Sequence, residues 1–332
     1  MAANLIRAGF PLTLHNRSRG REVFVLEAVP IDGSPASCGD ARAGVRRAAS
    51  PAEAVSEASI VCLCLSDDAA VQEVLLGQAA PGNLGGGISA SADPHGSRAS
   101  AIRTGRTELQ SSSNTSLPRR ATAAALAHLR PGALVIDFST IAPATSRAVA
   151  ARLAKRGATY IDAPVTGGTE GARAGTLSVL VGGEPTDLER ARPVLEVVGG
   201  RITHIGPVGA GQEAKAVNQV LVAGSYAAVA EAVALGQRLG LPMERVLDAL
   251  KSGAAGSWAL EHRSTNMLTG TFPLGFKLAL HHKDLAIALE AAATASVELP
   301  ITERVAAIER ELMEAGFGEE DVSALARFYL RE

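Results

Sequence analysis

A chain of 332 residues with 47% hydrophobic and 20% charged residues can bury a sizeable core in one large or two smaller domains, which excludes wholesale disorder. Aromatics are 3% and the net charge is -2, which speaks against a stacking platform for single-stranded nucleic acid and against a polyanion binder. The three cysteines, Cys38, Cys62 and Cys64, are too few for a disulfide framework, and no run reaches the roughly 20 uninterrupted apolar residues of a membrane helix.

In chain order, Pro11-Leu12-Thr13-Leu14-His15 reads as a strand. Ser50-Pro51-Ala52-Glu53 opens a helix with Ser at the N-cap, Pro in the first turn and Glu three residues on to complete a capping box. Ser59-Ile60-Val61-Cys62-Leu63-Cys64-Leu65 is an apolar run of strand length, and alternation puts both cysteines on one face as small buried hydrophobes. Further strands are expected at 133–137, 159–162 and 177–181, and a helix at 143–154. Unalternated apolar strands between helices predict a parallel sheet covered on both faces. Two stretches break the rhythm, 19–42 and 78–120. The second has Gly85-Gly86-Gly87, Ser111-Ser112-Ser113 and no aromatic residue. It cannot bury enough apolar surface to offset its ordering entropy and is expected to be a disordered insertion.

From Gly209 the pattern turns helical. The segment 214–235 is apolar nearly all round, as a buried helix is. More helices follow at 243–251, 257–268, 278–293, 301–315 and 320–330. The expected domains are a sheet-and-helix unit at 1–208 and an all-helical unit at 209–332.

Four motifs carry chemistry. In Gly209-Ala210-Gly211-Gln212-Glu213-Ala214-Lys215-Ala216-Val217-Asn218-Gln219, Lys215, Asn218 and Gln219 share one helical face. A lysine in so apolar a helix is desolvated, and its pKa falls toward the range useful for proton transfer; the alternative is a lysine reaching solvent from the helix start. Asp162-Ala163-Pro164-Val165-Thr166-Gly167-Gly168 ends a strand, where open parallel sheets hold ligands, and offers a hydroxyl and unshielded N–H groups to a carboxylate. Asp137-Phe138-Ser139-Thr140 ends another strand, and here a plain helix start is the alternative. His281-His282-Lys283-Asp284-Leu285 pairs two histidines, but no metal-ligand spacing accompanies them, so no metal is expected.

Taken in this order, the motifs resemble the β-hydroxyacid dehydrogenase family, over nearly the whole chain apart from the two irregular stretches. The resemblance implies an α/β Rossmann-like parallel sheet followed by an all-α domain. It also implies hydride transfer between NADP(H), or NAD(H), and a short β-hydroxy acid or semialdehyde. The composition adds the expectation of no nucleic-acid or membrane partner, and the apolar helix 214–235, too apolar for one small domain to cover, that of a homo-oligomer. The family's catalytic lysine falls on Lys215, with Asn218 and Gln219 as substrate-binding amides. Its carboxylate loop falls on Thr166, Gly167 and Gly168, with Thr where Ser is more usual. Cofactor contacts fall on Leu65 and Ser66, where Ser replaces the family's Pro, on Thr140 beside Ser139, and on Lys283. Gly256-Ser257-Trp258 falls on pocket-lining sequence. Asn16 and Arg17 follow the strand whose end usually carries an acidic residue for the ribose 2′-OH; a neutral residue followed by Arg suits a 2′-phosphate and favours NADP.

By the same resemblance, Met1-Ala2-Ala3-Asn4-Leu5 falls inside the helix that follows the family's first strand and G-x-G-x-x-G turn. The chain is thus expected to be N-terminally truncated, without that strand and turn, and to bind cofactor weakly. Two alternatives remain open: a non-catalytic homologue serving as a dimeric scaffold, and a decarboxylating sugar-phosphate dehydrogenase, for which the helical region is short. No signal core or transit character marks the residues after Met1, so a soluble cytoplasmic protein is the default reading, an organelle address needing sequence ahead of Met1.

Overall fold

The computed structural model describes residues 1–18, 20–29, 44–77 and 124–330. The insertion expected at 78–120, and Cys38, lie outside them. The first half alternates α1 (Ala2–Arg7), β1 (Leu12–Leu14), α2 (Glu22–Glu27), β2 (Val45–Arg47), α3 (Pro51–Val55), β3 (Ile60–Leu63) and α4 (Asp68–Leu76). It continues with β4 (Leu134–Asp137), α5 (Pro143–Ala154), β5 (Thr159–Asp162), β6 (Val165–Thr166), α6 (Gly168–Ala174), β7 (Leu177–Gly182), α7 (Pro185–Val198) and β8 (Gly199–Gly206). After Gly206 come α8 (Ala210–Arg238), α9 (Met243–Leu250), α10 (Trp258–Thr269), α11 (Leu278–Thr294), α12 (Pro300–Glu314) and α13 (Ala326–Tyr329).

Local chemistry sets the helix ends. Ser50 caps α3 by accepting the Glu53 N–H at 3.1 Å, while Glu53 reaches back to the Ala49 N–H at 2.7 Å, one residue before the position of the usual box. Asp67 caps α4 through the Ala70 N–H, and Gly77, at φ 67°, stops it with a left-handed residue that a side chain would strain.

Strands β3, β4 and β5 run parallel, with Val61, Val135 and Tyr160 in register. The sequence pattern predicted a parallel sheet, but the larger sheet is mixed. β7 meets β5 antiparallel at Asp162 and Gly182, β6 is antiparallel to β7, and β8 runs parallel to β7. β1 and β2 form a separate parallel pair, and among the described residues no strand joins it to the larger sheet. Strand β4 shows why its run is apolar without alternation. Val135 packs with Val71, Leu75, Val149 and Leu153 on one face, while Leu134 and Ile136 pack with Leu5, Leu188 and Leu195 on the other. β3 ends the larger sheet; Val61 and Leu63 pack in one core, and on the other face Ile60 packs partly against a second. Cys62 and Cys64 on that same face lie exposed, not buried as expected.

The second half is a helical cluster around α8, whose Tyr226, Val229, Ala230 and Val233 pack with Leu260 and Met267 of α10, Leu278 and Leu285 of α11, and Val305 and Ile308 of α12. α8 is long and apolar enough to cross a membrane by composition, yet one side of it is the centre of this cluster. It is not buried all round, since Val217, Leu221 and Leu235 are each more than 60% exposed. The last expected helix is broken. A 3-10 turn at Val322–Leu325 precedes α13, because Asp321 turns the chain by accepting the N–H groups of Gly275, Phe276 and Ser323.

Candidate active site

Lys215 lies in the second turn of α8 and is 7% exposed. Burial pushes its pKa down from 10.5 to about 8; Asp284 works upward and Lys283 further downward. One face of α8 meets α11 through a chain of side chains. The Asn218 amide donates to Gln219 Oε1 at 2.7 Å, and the Gln219 amide donates to Asp284 Oδ2 at 2.7 Å. Gln219 is 1% exposed with both ends of its amide engaged. It links Asn218 to Asp284.

Lys283 carries the chain across to the sheet. Its ammonium donates to the Thr140 carbonyl and lies 2.8 Å from Asp284 Oδ1. The loop after β4 is fixed from below. Ser139 donates its N–H to Asp137, and its hydroxyl accepts the Leu65 N–H at 2.9 Å. Leu65 and Thr140, expected at the cofactor, thus end neighbouring parallel strands and are joined through Ser139. Ser66 turns away, bonding Asp67 at 2.8 Å. Asn16 and Arg17 follow β1; Asn16 bonds the Ser18 carbonyl, and Arg17 is exposed.

Thr166 ends β6 and is half-buried; Gly167 and Gly168 are exposed at φ 126° and φ 63°, conformations that favour glycine and leave the backbone open to a ligand. Behind them Glu170 of α6 pairs with Arg263 of α10 at 2.9 Å, tying the loop to the helical cluster. Trp258 lies over the Arg263 guanidinium at 4.7 Å and stacks on His262, while Ser257 caps α10. The sequence reading missed this tie, because Glu170 and Arg263 are 93 residues apart and neither stands in a motif. His281 and His282 hold no metal arrangement among the described residues; His281 pairs instead with Glu309 of α12 at 2.5 Å.

Leu65 and Thr140 stand together at the strand ends, with Lys283 bonded to the Thr140 carbonyl, and strand ends are where open parallel sheets hold dinucleotides. Three helix starts around these strand ends offer no free cradle for a pyrophosphate. The starts of α4 and α8 are closed by Asp67 and Asp162, and the Ala142 N–H ahead of α5 by Asp68.

A sheet whose strand-end loop is tied through Gln212 and Lys283 to a helical unit carrying a desolvated lysine is the plan of a nucleotide-linked oxidoreductase. A family model described as the NAD binding domain of 6-phosphogluconate dehydrogenase matches residues 1–91 and 107–206. A second, NAD-binding of NADP-dependent 3-hydroxyisobutyrate dehydrogenase, matches 209–329. An uncharacterized oxidoreductase of Synechocystis is 35% identical over 88% of this chain and 81% of its own length. The 2-(hydroxymethyl)glutarate dehydrogenase of Eubacterium barkeri is 37% identical over 61% of this chain and 68% of its own. The solved 3-hydroxyisobutyrate dehydrogenase of Mycobacterium tuberculosis, in complex with L-serine, superposes with a TM-score of 0.72 and 29% identity, covering 100% of this chain and 94% of that one. The chain belongs to the β-hydroxyacid dehydrogenase family and is an NAD(P)-dependent oxidoreductase of hydroxy acids.

Proposed function

We propose that the chain interconverts a short β-hydroxy acid and its semialdehyde, with Lys215 as the proton-transfer group. The observation that carries this is the lysine itself, 7% exposed beside Lys283, which reaches the Thr140 carbonyl, with its pKa brought to about 8. A nicotinamide dinucleotide, when bound, would supply or accept the hydride. In oxidation neutral Lys215 takes the hydroxyl proton; in reduction its ammonium returns a proton to the carbonyl oxygen. Thr166 and the N–H groups of Gly167 and Gly168 hold the carboxylate, and Asn218 orients the substrate. L-serine in the mycobacterial structure and 2-(hydroxymethyl)glutarate both carry a hydroxyl β to a carboxylate, which supports this substrate class.

The same reading assigns residues 1–208 to cofactor binding and 209–332 to substrate binding and pairing with a second copy. Exposed Arg17 suits the 2′-phosphate of NADP. Arg17→Ala should weaken NADPH more than NADH in titrations followed by nicotinamide fluorescence and leave the chemical step alone; equal weakening of both would remove the NADP preference. For Lys215→Ala, kcat should fall by ~10²–10⁴-fold while cofactor binding stays nearly unchanged. Full activity in that variant would overturn the site.

A further inference from the structure

We propose that Asp162 and Gln212 form a fixed joint that positions Lys215 relative to both strand-end loops. The inference rests on Lys215 as the proton-transfer group. Asp162 ends β5, just before the Thr166–Gly168 loop, and is fully buried. A buried carboxylate needs acceptor contacts on both oxygens. It has them: Oδ1 accepts the Gly209 N–H at 2.6 Å and Oδ2 the Gln212 N–H at 2.9 Å. These are first-turn donors of α8 that the helix itself cannot satisfy.

The joint has no slack. A Cβ on Gly211 would lie 2.4 Å from the Leu180 carbonyl and 2.7 Å from Asp162 Oδ2; a Cβ on Gly182 would lie 2.6 Å from Asp162 Oδ1. Gln212 makes the second attachment. It is 1% exposed, donates to the Ser139 carbonyl at 2.8 Å and accepts the Ile141 N–H at 3.2 Å, bracketing Thr140. Lys215 is three residues beyond Gln212, on the same helical face. An axial slip of α8 would therefore move the amine against the carboxylate loop and Thr140 together, and would admit water to it.

The test reads Lys215 without requiring turnover. Its acetylation by acetic anhydride is followed against pH by peptide mass spectrometry. Asp162→Asn presents one amide NH₂ where two backbone donors point, so one N–H loses its acceptor. The charged groups facing Lys215 are Asp284 and Lys283 of α11, and both stay in place. Loss of a carboxylate charge alone would move the Lys215 pKa down. Hydration through a loosened joint moves it up, from about 8 toward 10.5, and a rise of about one pH unit or more is expected. Gln212→Leu leaves the Asp162 contacts intact and should shift the curve the same way; it carries the test alone should Asp162→Asn not fold. In turnover, kcat should fall roughly tenfold or more with a hydroxy-acid KM little changed. An unmoved or lowered titration curve, with only a lower melting temperature, would overturn the joint. Full activity of Lys215→Ala would instead overturn the role of Lys215 and leave the titration result standing.

Discussion

At the residue scale, Lys215 is held at a cost. Its pKa falls from 10.5 to about 8, so below pH 8 burying the ammonium destabilises the fold by about 3 kcal/mol. Between pH 8 and 10.5 the unfolded chain binds the proton that the folded chain has released, so stability rises across that window. Lys215→Met should raise the melting temperature at pH 7, abolish turnover, and lose its advantage as pH approaches 10.5. Thermal melts at both pH values check this; a variant less stable at pH 7 would show that the lysine is not desolvated. The catalytic consequence has a sign in each direction. Oxidation needs the neutral amine and should quicken as pH rises through about 8, whereas reduction needs the ammonium and should slow over the same range. Lys215→Arg should not rescue either direction, since a guanidinium keeps its proton. Lys215 was legible because one charge stood in an apolar helix beside two amides at helical spacing. Asp284, Gln212 and Arg263 were harder to read. Their partners are 65, 73 and 93 residues away, and only folding puts them together.

At the element scale, what the sequence shows depends on what the element touches. α5 and β5 have the bounds the pattern gave, 143–154 and 159–162; Val149 and Leu153 of α5 pack in one core with Tyr160, and Ile161 on the other face of β5 packs in a second. α7 and β8 are absent from the sequence reading. α7 carries Pro193 inside it, a residue that argues against a helix, although Leu188, Ala191, Val194, Leu195 and Val198 keep helical spacing; β8 is exposed along most of its length and has no clean period. The antiparallel β7 was read as one more parallel strand, since strand direction leaves no mark in an apolar run. Cys62 and Cys64 share one face of β3, as alternation gives, but at the end strand they lie exposed. The glycines of α8 offer a test at this scale. Gly211→Ala would force a Cβ to within 2.4 Å of a backbone carbonyl that cannot swing away, so a loss of about 1–3 kcal/mol in thermal or urea unfolding is expected. Gly209, at φ 95°, is strained by any side chain as well. An unaltered unfolding midpoint for Gly211→Ala would mean that β7 and α8 are looser than these contacts require.

At the scale of the whole molecule, α8 faces two ways. Its inner side builds the helical cluster, while Val217, Leu221, Ala228 and Leu235 fall along one outer line, about 27 Å from end to end at the rise of an α-helix. Only 44% of its most apolar window is buried within the chain. No lysine or arginine lies on this line; Glu231 flanks it and is engaged by Tyr329. A straight, smooth, apolar ridge is self-complementary under two-fold symmetry, so a second copy of the chain is its simplest cover. A homodimer is therefore expected at micromolar concentration in sedimentation velocity. Leu221 is 67% exposed in the single chain, and burying it contributes about 1.5–3 kcal/mol, counted twice in a symmetric pair. Leu221→Glu should weaken the dimer by roughly a hundredfold or more and leave the monomer folded, because the side chain touches no core cluster of its own chain. A wild-type monomer, or a Leu221→Glu protein that still sediments as the wild-type dimer, would show that this ridge is not the contact. Lys215 projects from the opposite, buried side of the same helix, two turns or less from Leu221. Pairing along the ridge would then stiffen the element that carries the proton-transfer group, and Leu221→Glu should lower kcat in step with dissociation as the enzyme is diluted.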